Sequence, residues 1–171
     1  MSGINLSITG EHDMNAGIDK HSLKKSAHIL SQYLADTYYL YFKTHTFHWN
    51  VTGPHFYSLH KLFDDQYSAL FESIDEIAER IRSLDCFVPA SFVKFQSLSC
   101  LNDVPDNHVP DHNLDEKSMV ACLLKDHETI ASNLRKWITE LGGLNDAASQ
   151  DFLIGRLAEH EKMAWMLRAQ T

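Results

Sequence analysis

The sequence predicts an all-α fold: a four-helix bundle in which a long crossover, itself holding a short helix, joins the second helix to the third. Three observations predict it. Apolar residues recur every three or four positions through four long stretches. Glycine and proline are scarce and gather between those stretches. One connection, from about Asp85 to Asn113, is much longer than the others, whereas short loops throughout would give a plain up-and-down bundle.

The elements follow in order. Gly3, Gly10 and Gly17 mark residues 1–20 as a loosely ordered arm, leaving 21–171 as the bundle domain. From His21 to about Trp49 no glycine or proline interrupts the chain, and Leu23, Ala27, Leu30, Leu34, Tyr38 and Tyr41 or Phe42 recur at helical spacing. Asp19 is placed to cap this first helix. The stretch "NVTGP", Asn50 to Pro54, is a turn. A second helix is expected over about His55 to Leu84, with Leu59, Leu62 or Phe63, Tyr67, Leu70, Ile74, Ile77 and Ile81 on its buried stripe.

The crossover holds the short helix candidate "ASFVKFQSL" and then the polar stretch "NDVPDNHVPDHN". A third helix starts near Asp115 and Glu116, acids that suit a helix N-terminus, and is expected to end at Gly142-Gly143. "DAASQDFLIGRLAEHEKMAWMLRAQ" reads as the fourth. The sequence offers no repeat and no convincing strand.

Composition narrows the function. The 171 residues suit one domain with a full core, and 44% hydrophobic with 22% charged residues is ordinary for a globular protein. No apolar run approaches the roughly 20 residues of a membrane span, and the N-terminus lacks the basic start and apolar block of a signal peptide. Cys86, Cys100 and Cys122 are odd in number and far apart, as for reduced thiols in the cytoplasm. A formal net charge of −8 argues against a surface that attracts DNA generally and fits acidic patches that attract cations. Eleven histidines are many for this length, and neutral imidazole is a common metal ligand.

The metal question centres on "FHWNVTGPHFYSLHKLFDDQ", Phe47 to Gln66. At about 100° per residue, a wheel with His60 at zero puts Asp64 near 40°, Asp75 near 60° and Glu79 near 100°. All four share one helix face. At about 1.5 Å rise per residue, however, Asp64 and Asp75 lie roughly 16 Å apart along the axis, beyond what ligand bonds near 2 Å can bridge. A two-fold axis resolves this. If two copies of the helix run antiparallel, the His60/Asp64 pair of one faces the Asp75/Glu79 pair of the other. Two composite sites of nitrogen and carboxylate ligands result, a set that iron accepts. His48, at the end of the first helix, adds a third ligand beside His60 and Asp64.

A bland alternative stands beside this one. A lone His/Asp pair at i, i+4 is ordinarily a solvated helix face. "ESIDEIAER" also reads as an outer face, with Glu72, Glu76 and Arg80 pairing within the helix. No histidine has a glutamate three residues before it, so the Glu-x-x-His pattern of a di-iron site inside one bundle is missing.

"HWNVTGPHF", "LHKLFDDQY" and "IDEIAERIRSLD" together resemble the Dps family, mini-ferritins named as DNA-binding proteins from starved cells, and the ending "HEKMAWMLRA" is similar too. The resemblance runs from about His21 to Arg168. It implies a ferritin-like bundle assembled into a hollow twelve-subunit shell. It also implies ferroxidase centres at two-fold interfaces, where iron(II) is oxidised, usually by hydrogen peroxide, and stored as ferric mineral. By motif, His48, His60 and Asp64 match the ligands of one subunit, and Asp75 and Glu79 those of its neighbour. Trp49 matches a tryptophan that accepts an oxidising equivalent beside the centre, with interface packing as its alternative role. Asp65 turns roughly 100° away from Asp64 and belongs beside the site or on the surface. The family's acid-lined three-fold pores point to Asp146 and Asp151, then Glu159 and Glu161, although acids near a helix start also favour the dipole.

His45 lies one turn before Trp49; His28, His55, His127 and His160 have no motif support, and most of these read as surface or core residues. His108 and His112 in the crossover are candidates for adventitious metal binding. A competing function is a nucleoid-associated protein that shields DNA by direct contact. The arm carries only Lys20, Lys24 and Lys25, at its end and beside Glu11, Asp13 and Asp19. That is poor in the phosphate contacts that dominate DNA affinity, leaving metal bridging or another basic patch as routes to DNA. An inert cage or adhesion antigen is a third alternative.

Overall fold

The computed structural model describes residues 15–101 and 114–171. Five helices occupy them: α1 Lys20–Asn50, α2 Phe56–Ser83, α3 Phe92–Leu98, α4 Glu116–Gly143 and α5 Ala147–Arg168. α1 packs along α2, α4 packs along α5, and α3 lies against α1. This is the expected ferritin-like four-helix bundle, with the short helix α3 in the crossover. His108 and His112, and the arm up to residue 14, lie outside the described residues. Among the described residues no helix is long and apolar enough to cross a membrane. The three cysteines are unpaired thiols.

The helix starts follow from their caps. The Asp19 carboxylate accepts the amides of His21 and Ser22, Ser91 accepts that of Lys94, Asp115 that of Ser118, and Asp146 that of Ser149. Each cap satisfies amides that a helix N-terminus leaves without an intrahelical acceptor. α2 has no side-chain cap. Instead the His55 amide and its Nδ1 both bond the Glu116 carboxylate at the start of α4, at 3.2 and 2.7 Å. Gly53 makes room for this latch. Its φ is +119°, and a Cβ there would stand 2.8 Å from Glu116 Oε2.

The core unites the apolar stripes of all five helices, with Leu30, Leu34, Phe63, Ile77, Leu123, Ile130 and Leu153 wholly buried. Two details differ from expectation. Leu62 and Phe63 are both buried, but Tyr67 is only half-buried and the inward position beside it belongs to Gln66. α4 ends at Gly142-Gly143, as expected, and the chain reverses just beyond at Asn145, whose φ is +58°. Arg80 and Glu76 do not pair within α2. Arg80 reaches Asp146 of α5 at 2.9 Å, and Glu76 meets Arg156 of α5 at 3.3 Å.

One polar chain runs through the bundle interior. The Tyr33 hydroxyl lies 3.1 Å from His160 Nε2, and His160 Nδ1 lies 2.9 Å from His127 Nδ1. All three residues are buried. Burial holds both imidazoles neutral, pushing His160 down to about 3 and His127 well below the ordinary histidine value. The two histidines are thus core residues, as their lack of motif support implied.

Candidate metal centre

The α1–α2 turn folds the end of α1 back onto the start of α2, which brings together two histidines twelve positions apart. Their rings stack with centroids 3.8 Å apart and planes 20° from parallel. His48 Nδ1 lies 2.9 Å from the His60 carbonyl oxygen, and His60 Nδ1 lies 2.9 Å from the His48 carbonyl oxygen. A carbonyl only accepts, so each Nδ1 must carry its proton and donate. The neutral tautomer then leaves the lone pair on Nε2 of both rings. Fixing the tautomer by bonding the other nitrogen is how proteins prepare imidazole for metal.

One turn further along α2, Asp64 is half-buried. Lys61 Nζ sits 2.6 Å from its Oδ2, and the Tyr67 hydroxyl also bonds the carboxylate. Those two bonds, Lys61 first, hold Asp64 below the ordinary carboxylate range. Asp65 is exposed and shares Lys61 at 3.4 Å. Asp75 and Glu79 are exposed on α2, roughly 16 Å and 22 Å further along the axis. Among the described residues, no group of three or more His, Cys, Asp or Glu side chains within the chain is arranged to hold a metal ion.

The orientation of α2 explains that separation. On the wheel with His60 at zero, the buried residues from Leu59 to Ile81 fall between about 200° and 320°, while His60, Asp64, Asp75 and Glu79 fall between about 0° and 100°. The candidate ligands therefore point away from the chain's own core. Large apolar residues stand among them: Phe71 is 60% exposed, Trp49 59% and Phe56 46%. Clustered exposed aromatics of this size mark a face that another molecule covers.

Trp49 lies against His45, with ring centroids 4.1 Å apart. His45 in turn stacks on Tyr67 at 4.1 Å and 22°, and Tyr67 meets His48 edge-on at 5.1 Å. The motif did not single out Lys61, Tyr67 or His45. Helical spacing held the signal, since Lys61–Asp64 and Asp64–Tyr67 are i, i+3 pairs and His45–Trp49 is an i, i+4 pair.

The pore candidates divide. Asp146 is fully buried, caps α5 and pairs with Arg80, so the expectation that it lines a pore is corrected. Burial raises its carboxyl, but the Ser149 hydrogen bonds and the Arg80 guanidinium outweigh this and leave it below the ordinary range. Asp151, Glu159 and Glu161 are exposed, with Glu161 paired to Arg135.

Comparison with known proteins agrees with this architecture. Residues 27–171 match the family model described as Ferritin-like domain. A low temperature-induced protein of Nostoc sp. is 40% identical over 157 residues, covering 91% of this chain and 85% of that protein. DNA protection during starvation protein 2 of Bacillus anthracis is 33% identical over 146 residues, covering 85% of this chain and 96% of that protein. The crystal structure of the Dps protein from Vibrio cholerae O1, described as a member of a broad superfamily of ferritin-like diiron-carboxylate proteins, superposes with a TM-score of 0.82 at 27% identity, covering 98% of this chain and 99% of that one. On the bundle with its crossover helix, the matched family model and these relatives, the chain belongs to the ferritin-like domain family and, within it, to the Dps proteins.

Proposed function

We propose that the protein is a ferroxidase and iron store whose centres form between two copies. Antiparallel pairing of α2 across a two-fold axis sets His48, His60 and Asp64 of one subunit against Asp75 and Glu79 of its partner. Iron(II) is the substrate and hydrogen peroxide the preferred oxidant. Carboxylates favour iron(III) over iron(II), so binding promotes loss of the electron. Peroxide reduced by two irons in one event yields no hydroxyl radical. Ferric product is stored in the hollow of a twelve-subunit shell in the cytoplasm, and DNA is protected because iron(II) and peroxide are both removed.

The observation that carries this reading is the reciprocal His48–His60 bonding, which leaves two unprotonated Nε2 atoms on a helix face turned from the core. Asp64, Asp75 and Glu79 on that same face supply the oxygen donors. In this reading the Lys61 ammonium stands in for a metal cation at Asp64. Trp49 is proposed to accept oxidising equivalents beside the centre.

The test is anaerobic loading with iron(II), followed by peroxide, in the wild type and in a His60→Ala/Asp64→Ala variant. The variant is expected to keep its assembly and lose fast oxidation. Equal rates would remove those residues from the site. DNA binding is a separate question, since the −8 net charge opposes it and the relatives' names favour DNA protection. A gel shift at varied salt decides whether protection involves contact.

A further inference from the structure

The groove between α2 and α5 is bridged at both ends and open between them. At one end Gln66 Nε2 donates to the Met163 carbonyl at 3.3 Å, and at the other Arg80 Nε donates to Ser149 Oγ at 2.9 Å. Between these bridges lies a cavity of about 200 Å³. Ala69, Leu70 and Met163 give it apolar walls, and the buried Tyr33–His160 pair lines it from within. On the wheel with His60 at zero, Ala69, Glu72, Ser73 and Glu76 fall between about 120° and 220°. The cavity therefore opens on a different side of α2 from His60 and Asp64.

Four charged side chains line it, Glu72 and Glu76 from α2 and Arg156 and Glu159 from α5. Arg156 meets Glu76 at 3.3 Å, so these two charges offset each other. Glu72 and Glu159 are exposed, and among the described residues neither has a hydrogen-bond or ion-pair partner. Ser73 is buried, and its hydroxyl donates to the Leu70 carbonyl at 2.8 Å, which leaves the Oγ lone pairs free to accept. Two carboxylates and a hydroxyl oxygen suit an ammonium group, which has three donors and no acceptor. The lining also holds one unmet donor, since Arg156 Nε is buried without a partner. A buried N–H in that state costs free energy, which an oxygen on an occupant would offset.

We propose that this cavity binds a small organic ammonium with a hydroxyl group a few carbons away, the class of the amino alcohols. The ammonium lies among Glu72, Glu159 and Ser73 Oγ. The hydroxyl oxygen accepts from Arg156 Nε, and the carbon chain lies on Ala69, Leu70 and Met163. The proposal does not depend on the ferroxidase reading. Charge argues against an anion, which would meet two unpaired carboxylates. Coordination argues against a bare metal ion: the described residues offer no group of three His, Cys, Asp or Glu arranged to hold one, and His160 Nε2 is engaged by Tyr33. A wholly apolar occupant would leave Arg156 Nε unmet and draw nothing from the carboxylates.

Ligand-observed NMR titration of the assembled protein tests this, with aminobutanol, butylamine, butanol and butyrate as probes. The forms compared are wild type, Glu72→Gln/Glu159→Gln, Arg156→Lys and Ala69→Leu. Aminobutanol is expected to bind the wild type tightest, with butylamine about fivefold weaker for want of one hydrogen bond. Butanol and butyrate are expected not to bind. Glu72→Gln/Glu159→Gln is expected to weaken aminobutanol binding by about tenfold or more. Arg156→Lys should erase the preference for aminobutanol over butylamine. Ala69→Leu fills the cavity from its wall and keeps every charge, so it should abolish binding of both amines. The two glutamates are exposed, so their variant gives a reading even where Ala69→Leu fails to fold. Binding that survives Ala69→Leu in folded protein would show surface ion pairing only and overturn the proposal. Equal binding of aminobutanol and butanol, tighter binding of butyrate, or no binding of any probe would overturn it too.

Discussion

His48 and His60 each donate Nδ1–H to the other's backbone carbonyl at 2.9 Å, across a turn that separates them by twelve residues. The arrangement uses what helix geometry leaves over. The His48 carbonyl lies in the last turn of α1 and lacks an intrahelical partner, so the His60 ring satisfies it. The His60 amide and carbonyl belong to a helix that the core already anchors. Neither ring can turn over without breaking a bond, and both Nε2 lone pairs are held ready.

Lys61 is paired to Asp64, where the proposed centre would place a metal ion. Lys61→Met is expected to raise affinity for cobalt(II), read by titration of its visible absorption on the assembled protein. The pair is open to solvent on the Lys61 side and only half-buried at Asp64, so the melting temperature should hardly move. Weaker cobalt binding in this variant would mean that Lys61 helps hold the carboxylate in place for the ion.

Asp146 separates structure from transport. Asp146→Ala removes the α5 cap and the carboxylate partner of Arg80, at a cost of about 3 kcal/mol in urea unfolding. Iron entry should be unchanged once unfolded protein is excluded. Slow iron entry without a stability loss would restore Asp146 to a pore.

The buried Tyr33–His160–His127 chain predicts acid sensitivity. Both histidines titrate below the ordinary value when folded, with His160 at about 3. In the unfolded chain they bind protons below about 6.5. The unfolded state therefore takes up more protons there, and stability falls as pH drops from about 6.5 towards 3. His160 alone accounts for roughly 5 kcal/mol over the whole window. Urea midpoints against pH check this. Replacing the whole network, Tyr33→Phe/His127→Leu/His160→Leu, should flatten the profile, since removing all partners together strands none of them.

Gly53 guards the turn that aligns the histidines. Gly53→Ala must adopt a strained φ of +119° and push its Cβ against Glu116. It should cost about 1–3 kcal/mol by thermal melting and weaken cobalt(II) binding, because the turn sets His48 over His60. An unchanged melt would show that the His55–Glu116 latch adapts freely.

Much of this was legible in the sequence, for identifiable reasons. Asp19 and Asp115 announced their helices because a cap is a local event. The shared face of His60, Asp64, Asp75 and Glu79 followed from helical periodicity alone. Tyr67 was misplaced because it lies at the edge of the buried stripe, where neighbouring helices decide exposure. The partners of Arg80 and Glu76 were hidden since α5 is more than sixty residues away in sequence. Gly142-Gly143 marked the end of α4 because two successive glycines weaken a helix. The buried histidine chain had no signal, because only tertiary packing brings α1, α4 and α5 together there.

The central claim is that each centre takes three ligands from one copy and two from another, and complementation tests it most directly. One variant carries His60→Ala/Asp64→Ala and the other Asp75→Ala/Glu79→Ala. Each alone is expected to lose fast peroxide-dependent iron(II) oxidation. Unfolded together and reassembled at equal ratio, they should regain roughly a quarter of the wild-type rate, since a two-fold pair of unlike copies rebuilds one whole centre and leaves one empty of both halves. Mixed shells that assemble fully yet stay as inactive as either parent would contradict it.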